Sequence, residues 1–373
     1  MIYISVVFFI YIITVIAFII GFDLVKESEL DETVATNRFT VIIPFRNEAE
    51  NLPKLLDAIH QLNYPTTLVD FIFVNDASTD KSISIINTLG TNNQHHIRVI
   101  ENERKSNSPK KDAITAALKV STKEWIITTD ADCILPINWL NTIDAFIQQN
   151  DCNLIVAPVN YISNNRFIHQ FQDLDFLSLQ ATTIAAFGLK TPFLCNGANL
   201  IYRKQVFEQV NGFINNNNIA SGDDVFLLEK FIKLDKGKVK HLKSRAAIVQ
   251  TFPVNTINEL INQRLRWASK TSNYNLLTGK LIGLIVLLGN GCIAIIPLLI
   301  LFLKMKVITA LSFTIMKLLF DYLLIKKCSD FYQKNIRFSS YLKSSILYPY
   351  FTLLIFLKSL VSKYNWKGRS FKK

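Results

Sequence analysis

The sequence predicts an α/β fold with a mostly parallel central sheet, in a chain that also carries apolar helices at its N- and C-terminal ends. Three observations predict it. Between residues 37 and 275, apolar bursts of strand length alternate with helix-period stretches; polar clusters follow directly on those bursts; and long apolar runs lie on either side. With 373 residues, half of them apolar, and 27 Phe beside 12 Gly and 10 Pro, the chain has material for a sizeable core and is not disordered, collagenous or a Pro-rich linker.

Residues 2–22 form an uncharged apolar stretch, long enough to cross about 30 Å of hydrocarbon at about 1.5 Å per residue. A basic n-region is missing and the run exceeds a signal-peptide core, so residues 1–24 read as an uncleaved transmembrane anchor. Phe39–Ile43 then reads as a strand, with Asn47 as a helix cap and Leu52, Leu55, Leu56, Ile59 and Leu62 on one helical face. Val69–Val74 is a second strand, followed by turn-rich Asn75–Asp80 and by Ile83, Ile86 and Leu89 at helical spacing. A strand at Ile97–Ile100, a helix at 112–120, a strand at Trp125–Thr129 and a helix at 138–149 continue the alternation. In such a sheet, ligands bind beyond the carboxyl ends of the strands. Further on, apolar runs at about 281–303, 307–325 and 344–361 make a C-terminal membrane region over 279–373.

The basic balance is local. Residues 262–373 hold 18 Lys and Arg against Asp321 and Asp330, whereas residues 1–261 hold 23 basic and 27 acidic groups. Basic residues flanking apolar spans read as anchors at a membrane surface, not as a nucleic-acid footprint. The five Cys include no close pair and no C-x-x-C, which argues against a disulfide framework or a Cys-rich zinc site.

Four polar clusters carry the candidate chemistry. The first places Arg46, Asn47 and Glu48 just past a strand end. The second, N-D-A-S-T-D, puts Asp76 after the next strand, with Ser78, Thr79 and Asp80 able to cap a helix. The third is Asp130-x-Asp132 at the end of the Trp125 strand; two carboxylates this close repel unless a cation or donors compensate, and Mg²⁺ or Mn²⁺ shared with a diphosphate is one such cation. The fourth is split: Asp223 and Asp224 open a helix whose Val225, Leu228 and Ile232 can face a core, and Gln263, Arg264, Arg266 and Trp267 share an amphipathic helix over about 256–275. Helix capping explains one of the two acids better than both.

In this order the segments resemble the membrane-bound branch of family-2 glycosyltransferases, which includes cellulose, chitin and hyaluronan synthases and ceramide glucosyltransferases. The likeness covers residues 39–275 and implies a GT-A nucleotide-sugar-binding fold, placed here at 37–262. It implies that Glu48, Asp76, Lys111 and Asp130 bind the nucleotide sugar, with Lys110 standing where Gly is usual beside Lys111. It implies Asp132 as the ligand of a divalent cation, Mg²⁺ or Mn²⁺, and Asp224 as general base, with Asp223 in place of the commoner Glu. Gln263, Arg266 and Trp267 fit Q-x-x-R-W and, with Asn196, Gly197 and Asn199, are assigned to the acceptor and diphosphate. The expectation is that the acids at 130, 132 and 224 and the Arg–Trp pair share one crevice.

The implied activity is inverting transfer of a sugar from a nucleoside-diphosphate sugar, uridine favoured over guanosine, to a hydroxyl of a membrane-embedded lipid or lipid-linked acceptor. Processive polysaccharide synthesis is the alternative, with a catalytically silent GT-A scaffold behind it. Since nucleotide sugars are cytoplasmic, the catalytic part is expected to face the cytoplasm from an integral membrane chain, with no nucleic-acid partner.

Overall fold

In the computed structural model, which describes residues 2–29, 33–90, 94–217, 219–271, 274–303 and 305–371, the predicted strands assemble into one sheet. The chain divides into two units: an α/β unit of residues 26–162 and 194–252, and a helical unit of residues 1–25, 163–193 and 253–373.

The α/β unit is built from β1 (Phe39–Phe45), α1 (Leu52–His60), β2 (Val69–Asn75), α2 (Ser82–Gly90), β3 (His96–Glu101), α3 (Pro109–Val120), β4 (Trp125–Thr128), α4 (Trp139–Gln149), β5 (Leu154–Val156), β6 (Val159–Tyr161), β7 (Leu200–Arg203), α5 (Lys204–Gln209), α6 (Asp223–Asp235), β8 (Val239–His241) and β9 (Val249–Thr251). Seven strands lie in the order β3-β2-β1-β4-β7-β5-β8. The first four and the β5–β8 pair are parallel, while β7 runs antiparallel to both its neighbours. The sheet is therefore mostly parallel, as the alternation predicts. Its centre is apolar on both faces, as buried parallel strands require: Phe39, Val41, Ile42 and Ile43 of β1 are sealed, as are Phe71 and Phe73 of β2 and Ile126 and Ile127 of β4. After β1 the chain works outward through β2 and β3 and then returns to β4, so the strand order reverses at β1–β4. Crevices for ligands form at such a reversal, beyond the carboxyl ends of the strands. The helix expected over 112–120 begins earlier, because Pro109 occupies the first turn, where its missing N–H costs nothing.

A buried histidine ties this unit to pH. At the end of β8, burial, and secondarily the charge of Lys243, push His241 down to about 3. Its folded value lies below the unfolded one, near 6.5, so the stability it contributes is present above that value and lost as pH falls toward the folded one. Chemical denaturation should show stability declining below pH 6.5 by up to about 1.4 kcal/mol per pH unit from this site, and His241→Leu should flatten that slope. A slope identical in both proteins would contradict the assignment.

The helical unit comprises α7 (Ile2–Leu24), α8 (Phe167–Gly188), α9 (Ile257–Thr271), α10 (Leu277–Ala294), α11 (Ile296–Leu303), α12 (Val307–Phe331) and α13 (Phe338–Val361), closed by the hairpin of β10 (Tyr364–Trp366) and β11 (Arg369–Phe371). Four of these helices, α7, α10, α12 and α13, are long and apolar enough to cross a membrane. α8 is an insertion in the α/β sequence that groups with them. It approaches α7 closely through glycine, since a Cβ on Gly188 would collide with the Gly21 carbonyl.

Candidate active site

The loops after β1 and β2 are stitched into one rigid rim. Arg46 Nη1 donates to the Asp76 and Ala77 carbonyls at 2.7 and 2.6 Å, and Asn47, at a left-handed φ of 53°, accepts from the Thr79 N–H at 2.8 Å. The Glu48 N–H donates to Ser82 Oγ at 2.9 Å, and the Glu48 carboxylate, largely buried, accepts from Asn51 Nδ2 at 2.7 Å. Asp80 accepts from Ala49 N and from the N–H and hydroxyl of Ser82; its partial burial opposes ionisation, and those donors together hold its carboxyl below the usual value.

Asp76 is buried, and its Oδ1 accepts from Arg104 Nε at 2.6 Å and Asn102 Nδ2 at 2.9 Å. Sequence reasoning missed both partners. Asn102 and Arg104 directly follow β3, the same positional signal that singled out the other clusters, and would have been found by applying it to the third strand as well.

The acids after β4 and at the start of α6 meet around a lysine. Lys110 Nζ lies 2.7 Å from Asp130 Oδ1 and 3.3 Å from Asp223 Oδ2. Burial works against its positive charge, but Asp130 and Asp223, with a smaller contribution from Asp224, outweigh it and hold the ammonium above the ordinary lysine value. Gly197 completes the cluster: a Cβ there would sit 3.0 Å from Asp223 Oδ2, 3.3 Å from Lys110 Nζ and 3.5 Å from the Asp224 Cβ. Asp130, Asp223, Asp224 and Gly197 are thus brought together. α6 can present two acids in its first turn because Gly222, at φ 85°, bends the chain left-handed into the helix, and the helix N-terminus favours negative charge. Asp224 is 9 % exposed, and its Oδ1 accepts from the Val225 N–H at 2.8 Å.

Lys111 and Asn199 are bonded within the α/β unit. Lys111 is buried, and its ammonium donates to the carbonyls of Asn216, Ile219 and Ser221 at 2.6, 2.9 and 3.3 Å, holding the loop that leads into α6. Lys110 is the lysine among the acids. Asn199 is fully buried; its amide donates to the Pro158 and Ala247 carbonyls at 2.9 Å each, and its oxygen accepts from Trp139 Nε1 at 3.1 Å. It ties together the turn between β5 and β6, the turn before β9 and the start of α4. Asn196 caps the short turn over Gly197–Asn199 by accepting from the Ala198 N–H at 2.9 Å.

Asp130 and Asp132 come from one turn, closed by the Cys133 N–H on the Asp130 carbonyl at 3.2 Å, with both acids partly accessible. Carboxylate oxygens are the hard donors that Mg²⁺ and Mn²⁺ take. Among the described residues, no three His, Cys, Asp or Glu side chains cluster as a self-sufficient cage. That donor set fits an ion whose remaining ligands are substrate phosphates and water.

Q-x-x-R-W lies on α9, in the helical unit, where its members are organised around the arginine inside the motif. Arg264 donates through Nε to Asp175 Oδ2 at 2.6 Å and through Nη1 to Gln263 Oε1, and its guanidinium stands 4.1 Å from the Trp267 ring centroid. Asp175 also accepts from the Tyr348 hydroxyl at 2.9 Å. Arg266, one residue before Trp267, is half-buried and adds positive charge near the Tyr364 hydroxyl.

Residues 40–210, spanning β1 to the end of α5 and including α8, match the family model for glycosyl transferase family 2. The chain is similar to the poly(ribitol-phosphate) beta-N-acetylglucosaminyltransferase TarS of Staphylococcus aureus, 26 % identical over 133 residues, 36 % of this chain and 22 % of that protein. It thus spans about a fifth of that relative. Glycosyltransferase AglE of Haloferax volcanii is 24 % identical over 227 residues, 61 % of this chain and 70 % of that protein. The mannosyltransferase PcManGT of Pyrobaculum calidifontis, solved in complex with GDP-Man and Mn²⁺, superposes with a TM-score of 0.64 at 14 % identity over 96 % of this chain and 97 % of that one. That likeness shows the GT-A fold.

Proposed function

We propose that this chain is a membrane-bound inverting glycosyltransferase that moves a sugar from a nucleoside-diphosphate sugar to a hydroxyl of a lipid or lipid-linked acceptor. The observation that carries the reading is the gathering of Asp130, Asp223 and Asp224 around Lys110, beside Gly197. The family match at 40–210 and the four helices able to cross a membrane support it. The names of the relatives, which act with N-acetylglucosamine or bind GDP-Man, support a nucleotide-linked donor.

In this reading the rim formed by Glu48, Asp76 and Arg104 binds the nucleoside. Lys110 is already positive and held in place, so it meets the diphosphate without reorganising, and fixed charge is most effective in that form. Asp130 and Asp132 would hold a divalent cation, which when bound neutralises diphosphate oxygens. Asp224 takes the proton of the acceptor hydroxyl as its oxygen bonds to the anomeric carbon; the bond to the diphosphate breaks, and the nucleoside diphosphate leaves with that electron pair. Attack opposite the leaving group inverts the anomeric centre. Gln263, Arg266 and Trp267 serve the acceptor and diphosphate, and the catalytic unit faces the cytoplasm.

Purified enzyme should release nucleoside diphosphate from one member of a panel of UDP- and GDP-sugars when extracted lipids are supplied, with a sugar-bearing lipid found by mass spectrometry. In the same assay Lys110→Met should weaken donor binding about tenfold or more, as loss of a charge-assisted contact predicts. No release from any donor would reject the reading.

A further inference from the structure

Within the helical unit, α7, α8, α10, α12 and α13 leave a cleft of about 110 Å³ between them. Four of these five are the helices able to cross a membrane. Its wall nevertheless carries charge. Lys317 Nζ pairs with Asp321 at 2.5 Å and stands 5.1 Å from the Tyr11 ring centroid, while the Tyr11 hydroxyl donates to Asp321 at 2.7 Å. Asp175, also in the wall, is held by Arg264 and Tyr348. Ionisable groups at bilayer depth are costly, and packed apolar side chains would seal the same helices more cheaply, so groups of this kind mark a site.

The chemistry of the wall narrows the ligand. Its charges are matched one to one, Lys317 with Asp321 and Arg264 with Asp175, so a charged head would bring an ion with no partner. The hydroxyls of Thr14 and Ser178 donate to the carbonyls of Ile10 and Asp175 at 2.8 and 2.7 Å, which leaves their oxygens as acceptors. Asn290 directs its amide to the Val286 carbonyl at 2.9 Å, and its Oδ1, like Ser344 Oγ, has no hydrogen-bond partner among the described residues although the two residues are 1 and 4 % exposed. The unmet capacity is an acceptor at Asn290 Oδ1 and, at Ser344, a hydroxyl that can both accept and donate, the complement of a lipid hydroxyl, in surroundings where an unmet polar group is expensive.

We infer that this cleft binds the uncharged, hydrogen-bond-donating head of a lipid, a hydroxyl or amide N–H, with Asn290 and Ser344 as its recognising groups. The inference rests on the membrane placement proposed above and not on the transferase chemistry. Phe18, Val15, Phe171 and Leu174 offer apolar wall to the chain of such a lipid.

Full-length protein in nanodiscs, titrated with dioleoylglycerol, its acetylated ester and dioleoyl phosphatidic acid, tests it by native mass spectrometry. Dioleoylglycerol should bind saturably, and the two probes lacking a neutral hydroxyl should bind about tenfold or more weakly, as loss of one hydrogen bond in an apolar site predicts. Asn290→Leu and the smaller change Ser344→Ala should each weaken dioleoylglycerol several-fold. Equal retention of phosphatidic acid, no saturable binding, or affinities unchanged in a folded Ser344→Ala protein would overturn the inference. Carbonate extraction of membranes tests the membrane placement separately.

Discussion

Asp224→Asn should leave donor affinity within about twofold of wild type and reduce sugar transfer by about 10²–10⁴-fold, the range general-base removal produces. The substitution keeps the side chain's size and lets Oδ1 continue to accept from the Val225 N–H, so the first turn of α6 is undisturbed. What it removes is the proton acceptor. Asp223 is a useful contrast. Its carboxylate lies 3.3 Å from Lys110, so Asp223→Asn should act through the lysine, weakening donor binding and transfer together. Single-turnover transfer and calorimetric titration with nucleoside diphosphate separate the two outcomes. Transfer by Asp224→Asn within a few-fold of wild type would remove Asp224 from the role, because no other substitution in the cluster leaves charge pairing so nearly intact.

The alternation of apolar bursts and helix-period stretches made the first half of the sheet legible, since strands β1 to β4 are long enough to show a period and are followed at once by polar strand ends. The second half was not legible. β5, β6, β8 and β9 are three residues each, too short to register a period, and β7 enters antiparallel by a route that alternation alone does not encode. The insertion of α8 was invisible for a different reason: its apolar residues are spread around the helix and interrupted by Gln172, Asp173 and Asp175, which bond far along the chain to Val254 before α9, to α9 and α13, and to the turn after α12. In the site, the acids could be singled out because like charges at strand and helix ends need compensation. The lysine that compensates them, Lys110, sits within a helix, carries no such signal and emerges only once α3, the turn after β4 and α6 are side by side.

Lys111→Met should destabilise the α/β unit by about 2–4 kcal/mol, because three carbonyls lose a charged donor in a buried place. Methionine matches the volume and can still pack on Phe226, over whose ring the ammonium now stands at 4.9 Å, so the loss is polar rather than steric. Denaturant titration measures it as a lower midpoint at unchanged slope. The same change should act on catalysis indirectly. The carbonyls belong to Asn216, Ile219 and Ser221, immediately before Gly222 and the paired acids, so slackening that loop lets Asp223 and Asp224 move. The turnover number should then fall about tenfold or more while affinity for free nucleoside diphosphate holds, since displacements near 1 Å already cost that much in a reacting geometry. Were Lys111 a nucleotide ligand, the pattern would reverse: affinity would collapse and stability would hold. Lys110→Met is expected to lower that affinity instead, so the pair of neighbouring variants decides which lysine serves the donor and which serves the loop.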